Sequence, residues 1–487
     1  MEVFLLKRLM SEVCTRRNQY GGIKGSGTNH FLINTYHNIM SALEDNRNAV
    51  SVVSVDFSKA FNRMDHRQCL MAFQYGGAST QSLQMIAAFL RGRTMSIKVN
   101  GTMSRPRMVN GGSPQGTKIG NFLITVTIDY IEEKNHPLFI KPLAVAPVLP
   151  QLHHSQVTRE PSLNLERINE DPKHTSTPYK SGTSDGVMRY LDESGRGASY
   201  ILEDDQPHIL SLDVTVPGNW RPFPPWVDKF VDDVNGGQAH RISTGTSHIT
   251  TGKELRSIHA RECQSMYETV VENAEAIKMK VNPKKTKLLC VSSAKNYEVE
   301  SYIEVEGQKI KSEKTMKILG YTFGNRPNAG AHVNSIKKEY SMKAWTIRNL
   351  KRANITEASL VKIYCALIRS CIEYAVPVYS HFLTGEQSND LERLQMRSLK
   401  TIFGFDLSYA ECLERSGLER LDARRDRLVL NFTKKTAANP LWDHWFPRIE
   451  EFHHDLRKKR IYKEEFASKE RLRLSPIFTM RRLMNEL

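Results

Sequence analysis

Residues Trp226 to Gly237 read WVDKFVDDVNGG, a short apolar run that holds two adjacent carboxylates, Asp232 and Asp233. Taken alone, the stretch reads as an acidic turn at the tip of a hairpin, because Asp and Gly favour turns. The other reading, a pair of metal-binding carboxylates, needs partners elsewhere in the chain. One candidate lies far upstream, where AVSVVSVDFSKAF runs β-branched residues from Val50 to Val55 into Asp56. A run this apolar is expected to be a central strand buried on both faces. Ser58 is then placed to cap a short helix through Ala60, Phe61 and Met64, which leaves Asp56 at a strand end facing a crevice.

Two or three carboxylates on separate strands suit one chemistry in particular. Phosphoryl transfer onto a 3′ hydroxyl needs a deprotonated oxygen, neutralised phosphate charge and an in-line geometry. Two divalent ions about 3.5–4 Å apart supply all three. Mg²⁺ takes a few carboxylates together with water and substrate phosphates. Asp56, Asp232 and Asp233 fit that requirement, although spacing by itself leaves the acidic turn open.

The charge balance names the kind of partner. A formal charge of +16 over 487 residues points to a polyanion, either nucleic acid or an acidic membrane surface. No apolar stretch reaches the length of a bilayer span, and MEVFLLKRLMSEV is too short and too charged for a signal peptide. A soluble protein of the nucleus or cytoplasm with no membrane partner is therefore expected. Seven cysteines without a CxxC pair argue against a disulfide framework or zinc knuckle, so reduced, buried thiols are expected.

Further along, Met71 to Phe89 reads mostly as helix, and RTMSIKVNGTMSRPRMVN as a hairpin turning at Asn100-Gly101. The loop NGGSPQGTKIG leads into an apolar segment expected to be a buried helix. The pattern then weakens, and residues 133–225 read as an insertion of uncertain order. A helix is expected near Met266 to Met279 with Val270, Ala274 and Ile277 on one face. VNPKKTKLLCV reads as a turn and strand, and YIEVEGQKIKSEKTMKILGYTF as a hairpin ending at Gly320. Beyond it Ile363, Leu367, Cys371 and Tyr374 form one helical stripe. Leu391, Leu394, Leu399 and Ile402 form another, ending at Gly404. Arg393, Arg397 and Lys400 share the opposite face of that second helix, as a solvated charge face or one that tracks phosphates.

The order of these words is itself informative. VDFSKAF around Asp56, GGSPQGTKIGNFL around Gln115, FVDD, VNPKKTKLL around Lys285 and KILGYTF around Gly320 resemble motifs A to E of reverse transcriptases. DFSKAFNRMDH, the PQGT loop and the C-terminal words IEYAVPVYS, LERLQMRSLKTIFG, CLERSGL and SPIFTMRRLMN look like the non-LTR, LINE-type retrotransposon enzymes. The resemblance implies an α+β fold: a right-hand polymerase palm with partial fingers, a helical thumb and a helical, basic C-terminal region. Its parts would be partial fingers (1–48), palm with motifs A and B (49–132), the insertion, palm with motifs C and D and the primer grip (226–325), thumb (326–410) and basic C-terminal region (411–487).

The implied activity is RNA-directed DNA polymerisation in retrotransposon copying, with an RNA template, a DNA primer and dNTPs as partners. Two Mg²⁺ ions, or Mn²⁺ in their place, would be held by Asp56, the Phe57 backbone carbonyl, Asp232 and Asp233. By resemblance Phe61 is a steric gate against a ribose 2′-OH, and Gln115 and Gly116 meet the incoming nucleotide. Lys285 is the proton donor or electrostatic partner of the departing pyrophosphate, and Leu319 with Gly320 is the primer grip. In NQYGGIKGSGTNHFL, Ile23 stands where the family carries arginine, leaving Lys24 as the basic residue facing the triphosphate. The motifs begin close to the first residue, so an N-terminally truncated enzyme is expected, with nicking supplied by another chain or a missing segment. The competing expectation is an inactive nucleic-acid-binding remnant or domesticated scaffold.

Overall fold

The computed structural model describes residues 2–13, 15, 18–45, 48–129, 187–191, 197–203, 206–209, 226–230, 233–241, 252–293, 301–449 and 460–487. They divide into two compact units, one of residues 1–143 and 222–487 and the other of residues 144–221. In the smaller unit the described backbone is a three-stranded antiparallel sheet, Val187–Leu191, Gly197–Glu203 and Gln206–Ile209. The remainder of the 133–225 insertion, up to Pro225, lies outside the described residues.

The larger unit is organised by an antiparallel sheet of four strands: β1 (Asn48–Asp56), β2 (Trp226–Phe230), β3 (Asp233–Arg241) and β4 (Lys287–Ser292), in the order β4-β1-β3-β2. The valine run of β1 is central, as its composition required, and both of its faces are covered. Val50 and Val52 point to the face packed by Phe31, Tyr36 and Ile39 of helix α1 (Thr28–Ala42). Val53 and Val55 point to the other face, packed by helices α2 (Lys118–Asp129) and α3 (Gly252–Ala276). Each buried valine contributes about 1.5 kcal/mol or more.

Several local expectations are corrected. Ser58 does not cap the helix that follows β1. The residue before Ala60–Arg63 is Lys59, in the left-handed region, and no side chain caps that helix. The helix expected from Met71 to Phe89 is two, His66–Tyr75 and Thr80–Leu90, broken at Gly76-Gly77 and restarted by the Ser79 cap. The segment expected to end at Gly320 is two hairpins: Tyr302–Val305 with Gln308–Lys311, and Thr315–Ile318 with Tyr321–Gly324. The buried stripe near residue 370 is Leu360, Tyr364, Ile368 and Ile372, whereas Leu367 is exposed. VKIYCALIRSCIEY offers apolar residues for more than one stripe, and a π-turn at Cys365–Arg369 shifts the register between them. The Leu391, Leu394, Leu399 and Ile402 stripe is buried as expected, on helix α4 (Gly385–Phe403).

The C-terminal region does not stand apart from the N-terminal segment. Trp442 donates to the Gly25 carbonyl at 3.0 Å and stacks on His30 and Tyr20. His37 meets Ser475, and Glu44 accepts from the backbone of Ser468 and Lys469. Part of its positive charge is structural: Arg481 is buried and donates to the Trp445 carbonyl. Among the described residues, no helix is long and apolar enough to cross a membrane.

Candidate active site

The pairing register fixes the site. Asp56, the last residue of β1, lies directly opposite Asp233, the first of β3. Directly opposed residues of an antiparallel pair share a face, with Cβ atoms about 4.5–5.5 Å apart. Beneath them on that face runs a polar row, Ser54, Asn235 and Asp228, and then an apolar row, Val52, Gly237 and Trp226. The face thus grades from an apolar floor under α1 to a carboxylate rim.

Two glycines of VDDVNGG, which a sequence reader takes for a turn, are strand residues. A Cβ on Gly237 would sit 2.2 Å from the Trp226 ring, so only glycine admits the indole there. Asn235 is buried, and its amide makes no hydrogen bond among the described residues. Burying an unsatisfied amide costs about 1–3 kcal/mol. Asp232 lies outside the described residues. It is covalently adjacent to Asp233.

Three backbone ties hold other motifs against this rim. First, the segment after α3 is stitched to the end of β1: the Asp56 carbonyl accepts from Asn282 N–H at 2.8 Å, and Ser58 N–H donates to Lys280 at 2.7 Å. Phe57 is bridged to Val281 at the position between these bonds, so its own carbonyl is directed away from Val281. The turn that follows, closed by Lys285 and Thr286 N–H onto Asn282, sets Lys285 Nζ 2.8 Å from Asp56 Oδ2.

Second, the PQGT loop is docked on the helix after β1. Ser113 N–H donates to the Phe61 carbonyl and Gly112 N–H to that of Met64. Gly112 has φ +80°, and a Cβ there would meet the Phe61 carbonyl at 2.9 Å, so the position demands glycine twice over. Phe61 is half-buried against the α2 side of the core. Gln115 and Gly116 are exposed, and Gln115 reaches Asn62 at 3.4 Å.

Third, both flanks of the Lys24 loop are tied to β2. Lys229 N–H donates to the Asn18 carbonyl and Tyr20 N–H to that of Lys229, extending the sheet edge. On the far side, Asn34 and Thr35 of α1 each donate to Asp228 at 2.9 Å. Lys24 itself is exposed between these anchors.

Leu319 and Gly320 form the two-residue turn of the Thr315–Gly324 hairpin, both with positive φ. Tyr374 donates to the Leu319 carbonyl, and its ring backs Gly320. Arg393, Arg397 and Lys400 are placed on α4. Arg393 pairs with Asp390 at 2.8 Å, while Arg397 and Lys400 make no ion pair among the described residues.

Two functional-looking charges that a sequence reading passes over turn out to be structural. In WVDKF, Asp228 and Lys229 are almost wholly buried, on opposite faces of β2. Asp228 is held by Asn34 and Thr35, and it helps burial push the Tyr20 hydroxyl well above its ordinary pKa. Lys229 Nζ lies 2.8 Å from Asp129 Oδ1, joining β2 to the end of α2. Alternation of charge in a short strand hints that both faces carry something. The partners, 100 and more residues away, carry no local signal.

The donor set at the rim is hard oxygen, which suits Mg²⁺ rather than a soft metal. Among the described residues no group of three or more His, Cys, Asp and Glu side chains is placed to hold a metal. Asp56 and Asp233 make two of the expected three, and the third position is that of Asp232.

Over 128 residues, 26% of this chain, the sequence is 30% identical to a retrovirus-related Pol polyprotein from the type-1 retrotransposable element R2 of Popillia japonica. The chain is related to a retrotransposon polyprotein. The matched stretch spans 18% of that relative's length. No protein-family model matches the chain.

Proposed function

We propose that the chain is an RNA-directed DNA polymerase of the non-LTR retrotransposon type, extending a primer 3′-OH with dNTPs. The observation that carries this reading is the direct opposition of Asp56 and Asp233 at the open end of one sheet face. Like charges placed directly opposite destabilise a strand pair, and a cation bound between them would offset that repulsion. On this reading the four-stranded sheet is a polymerase palm, and α4 belongs to a thumb.

Asp56, Asp232, Asp233 and the Phe57 carbonyl would hold two Mg²⁺ ions, with Mn²⁺ an alternative. When bound, such ions lower the pKa of the attacking hydroxyl and neutralise the transferring phosphate. The protein's own groups do the rest. Lys285, held at Asp56 by the Asn282 turn, is within reach of charge developing on pyrophosphate and serves as its acid or electrostatic partner. Phe61, fixed by the Ser113 and Gly112 bonds, excludes a ribose 2′-OH. Gln115 and Gly116, on the loop docked there, contact the incoming nucleotide, and Lys24 faces the triphosphate. The Leu319–Gly320 turn grips the primer, and Arg393, Arg397 and Lys400 track phosphates.

The test is primer extension by the purified chain on a primed RNA template with Mg²⁺, using dNTPs and, separately, rNTPs. Extension with dNTPs that disappears in Asp56→Asn supports the reading. Equal use of rNTPs removes the gate role of Phe61. Salt-sensitive binding of template-primer with no extension by the wild-type chain would favour a nucleic-acid-binding scaffold.

A further inference from the structure

The segment from Arg91 to Val109 projects from the larger unit and is exposed nearly throughout. Its two short ladders pair Thr94–Met95 with Arg107–Met108 and Lys98–Val99 with Thr102–Met103, closed by the Asn100-Gly101 turn with positive φ at both positions. The composition is unusual for an exposed arm. Met95, Ile97, Val99, Met103 and Met108 are each 58–61% exposed, and none joins either buried core. A lone hairpin with no apolar cover is marginal in water.

The cations are interleaved with these side chains. Arg91, Arg93, Lys98, Arg105 and Arg107 lie in the segment, and it contains no acidic residue. Met95 stands directly opposite Arg107, and Met103 opposite Lys98. Apolar side chains set among unopposed cations complement a polyanion with apolar faces, which describes nucleic acid with its phosphates outside and stacked bases inside. The arm is also rooted at the candidate site: Val109 N–H donates to the Arg93 carbonyl, and Arg93 Nη1 reaches the carbonyl of Gly112, in the loop that carries Gln115.

We propose that this arm is a nucleic-acid wedge. Its arginines and lysine hold the phosphates of a paired template strand, and its apolar side chains enter between bases and open structure in the RNA next to the site. The role in copying rests on the polymerase reading above. Binding and base unstacking do not.

Two variants of the full chain test it, Ile97→Ser/Val99→Ser/Met103→Ser and Arg105→Ala/Arg107→Ala. The probe is a hairpin RNA carrying 2-aminopurine in its stem, read by fluorescence anisotropy for binding and by 2-aminopurine emission for unstacking. The wild type should raise the emission on binding. The triple variant should bind with little loss but without that rise, and the double variant should weaken binding several-fold and flatten its salt dependence by about 2 in log–log slope. In primer extension the triple variant should stall at a template hairpin and copy an unstructured template normally. Unchanged emission and binding in both variants would overturn the proposal. So would loss of binding to anionic vesicles with RNA binding intact, which would make the arm a membrane contact. If the wild type extends no primer but the emission results hold, the polymerase reading fails and the wedge stands.

Discussion

Asp56 and Asp233 are cross-strand partners, facing each other from adjacent antiparallel strands with Lys285 Nζ 2.8 Å from the first of them. On the proposed reading, a divalent cation would relieve the mutual repulsion of the pair. Mg²⁺ should therefore raise the thermal midpoint of the wild-type chain, by about 2.7 kcal/mol of stability at 100 times the dissociation constant. Asp56→Asn/Asp233→Asn should lose that response while melting no lower than the metal-free wild type, as differential scanning fluorimetry with and without EDTA will show.

Lys285 is positioned by the Asn282 turn rather than by burial, so its replacement should spare the fold. Lys285→Ala should lower the single-turnover extension rate by about 10²-fold or more, the range typical of a positioned acid. Lys285→Arg separates the two roles. Substantial rescue points to electrostatic stabilisation, whereas a rate as low as that of Ala points to proton donation, since arginine does not give up its proton at working pH.

The buried Lys229–Asp129 pair makes a stability prediction independent of chemistry. Lys229→Met removes the ammonium from the buried Asp129 carboxylate between β2 and α2 and should cost about 3–5 kcal/mol, measured by urea unfolding. Asp129→Leu combined with Lys229→Met should recover most of that loss. A single substitution that costs nothing would contradict the assigned packing.

His332 accepts a hydrogen bond from Thr322 N–H and stacks on Tyr321. Burial, with Lys317 nearby, lowers its pKa from the usual 6.5 to about 4, while Glu339 opposes the shift. Between those values the unfolded chain takes up a proton that the folded chain refuses. The stabilisation is therefore complete above pH 6.5 and is lost as pH falls toward 4. His37, pushed to about 3 chiefly by burial, adds in the same direction. His332→Asn should flatten the fall in unfolding free energy between pH 6.5 and 4.

How far the sequence anticipates this structure depends on how local each cause is. The β1 strand was legible because a valine run buried on both faces has few alternatives, and the α4 stripe because its period is clean and a capping box opens it. The words around Asp56, Gln115 and Lys285 marked residues that the fold does bring onto adjoining backbone. What remained hidden is non-local. The burial of Asp228 depends on Asn34 and Thr35, and that of Lys229 on Asp129. The docking of the C-terminal region on Gly25 and His30 depends on Trp442, more than 400 residues downstream. Ser58 failed as a cap because Lys59, in the left-handed region, stands between it and the helix. The hairpin around Met95, Ile97 and Val99 was legible from its turn, but its apolar residues are exposed, with no element among the described residues covering them.

The most direct test of the central claim is single-turnover primer extension on RNA, with the Mg²⁺ concentration varied for the wild type, Asp56→Asn and Asp233→Asn. A rate that saturates with Mg²⁺ in the wild type and falls by about 10³-fold or more in both variants at every concentration is the expected result, several kcal/mol of lost transition-state stabilisation. Extension that survives either substitution at near wild-type rate would contradict it, because the opposed carboxylates would then have no part in the chemistry.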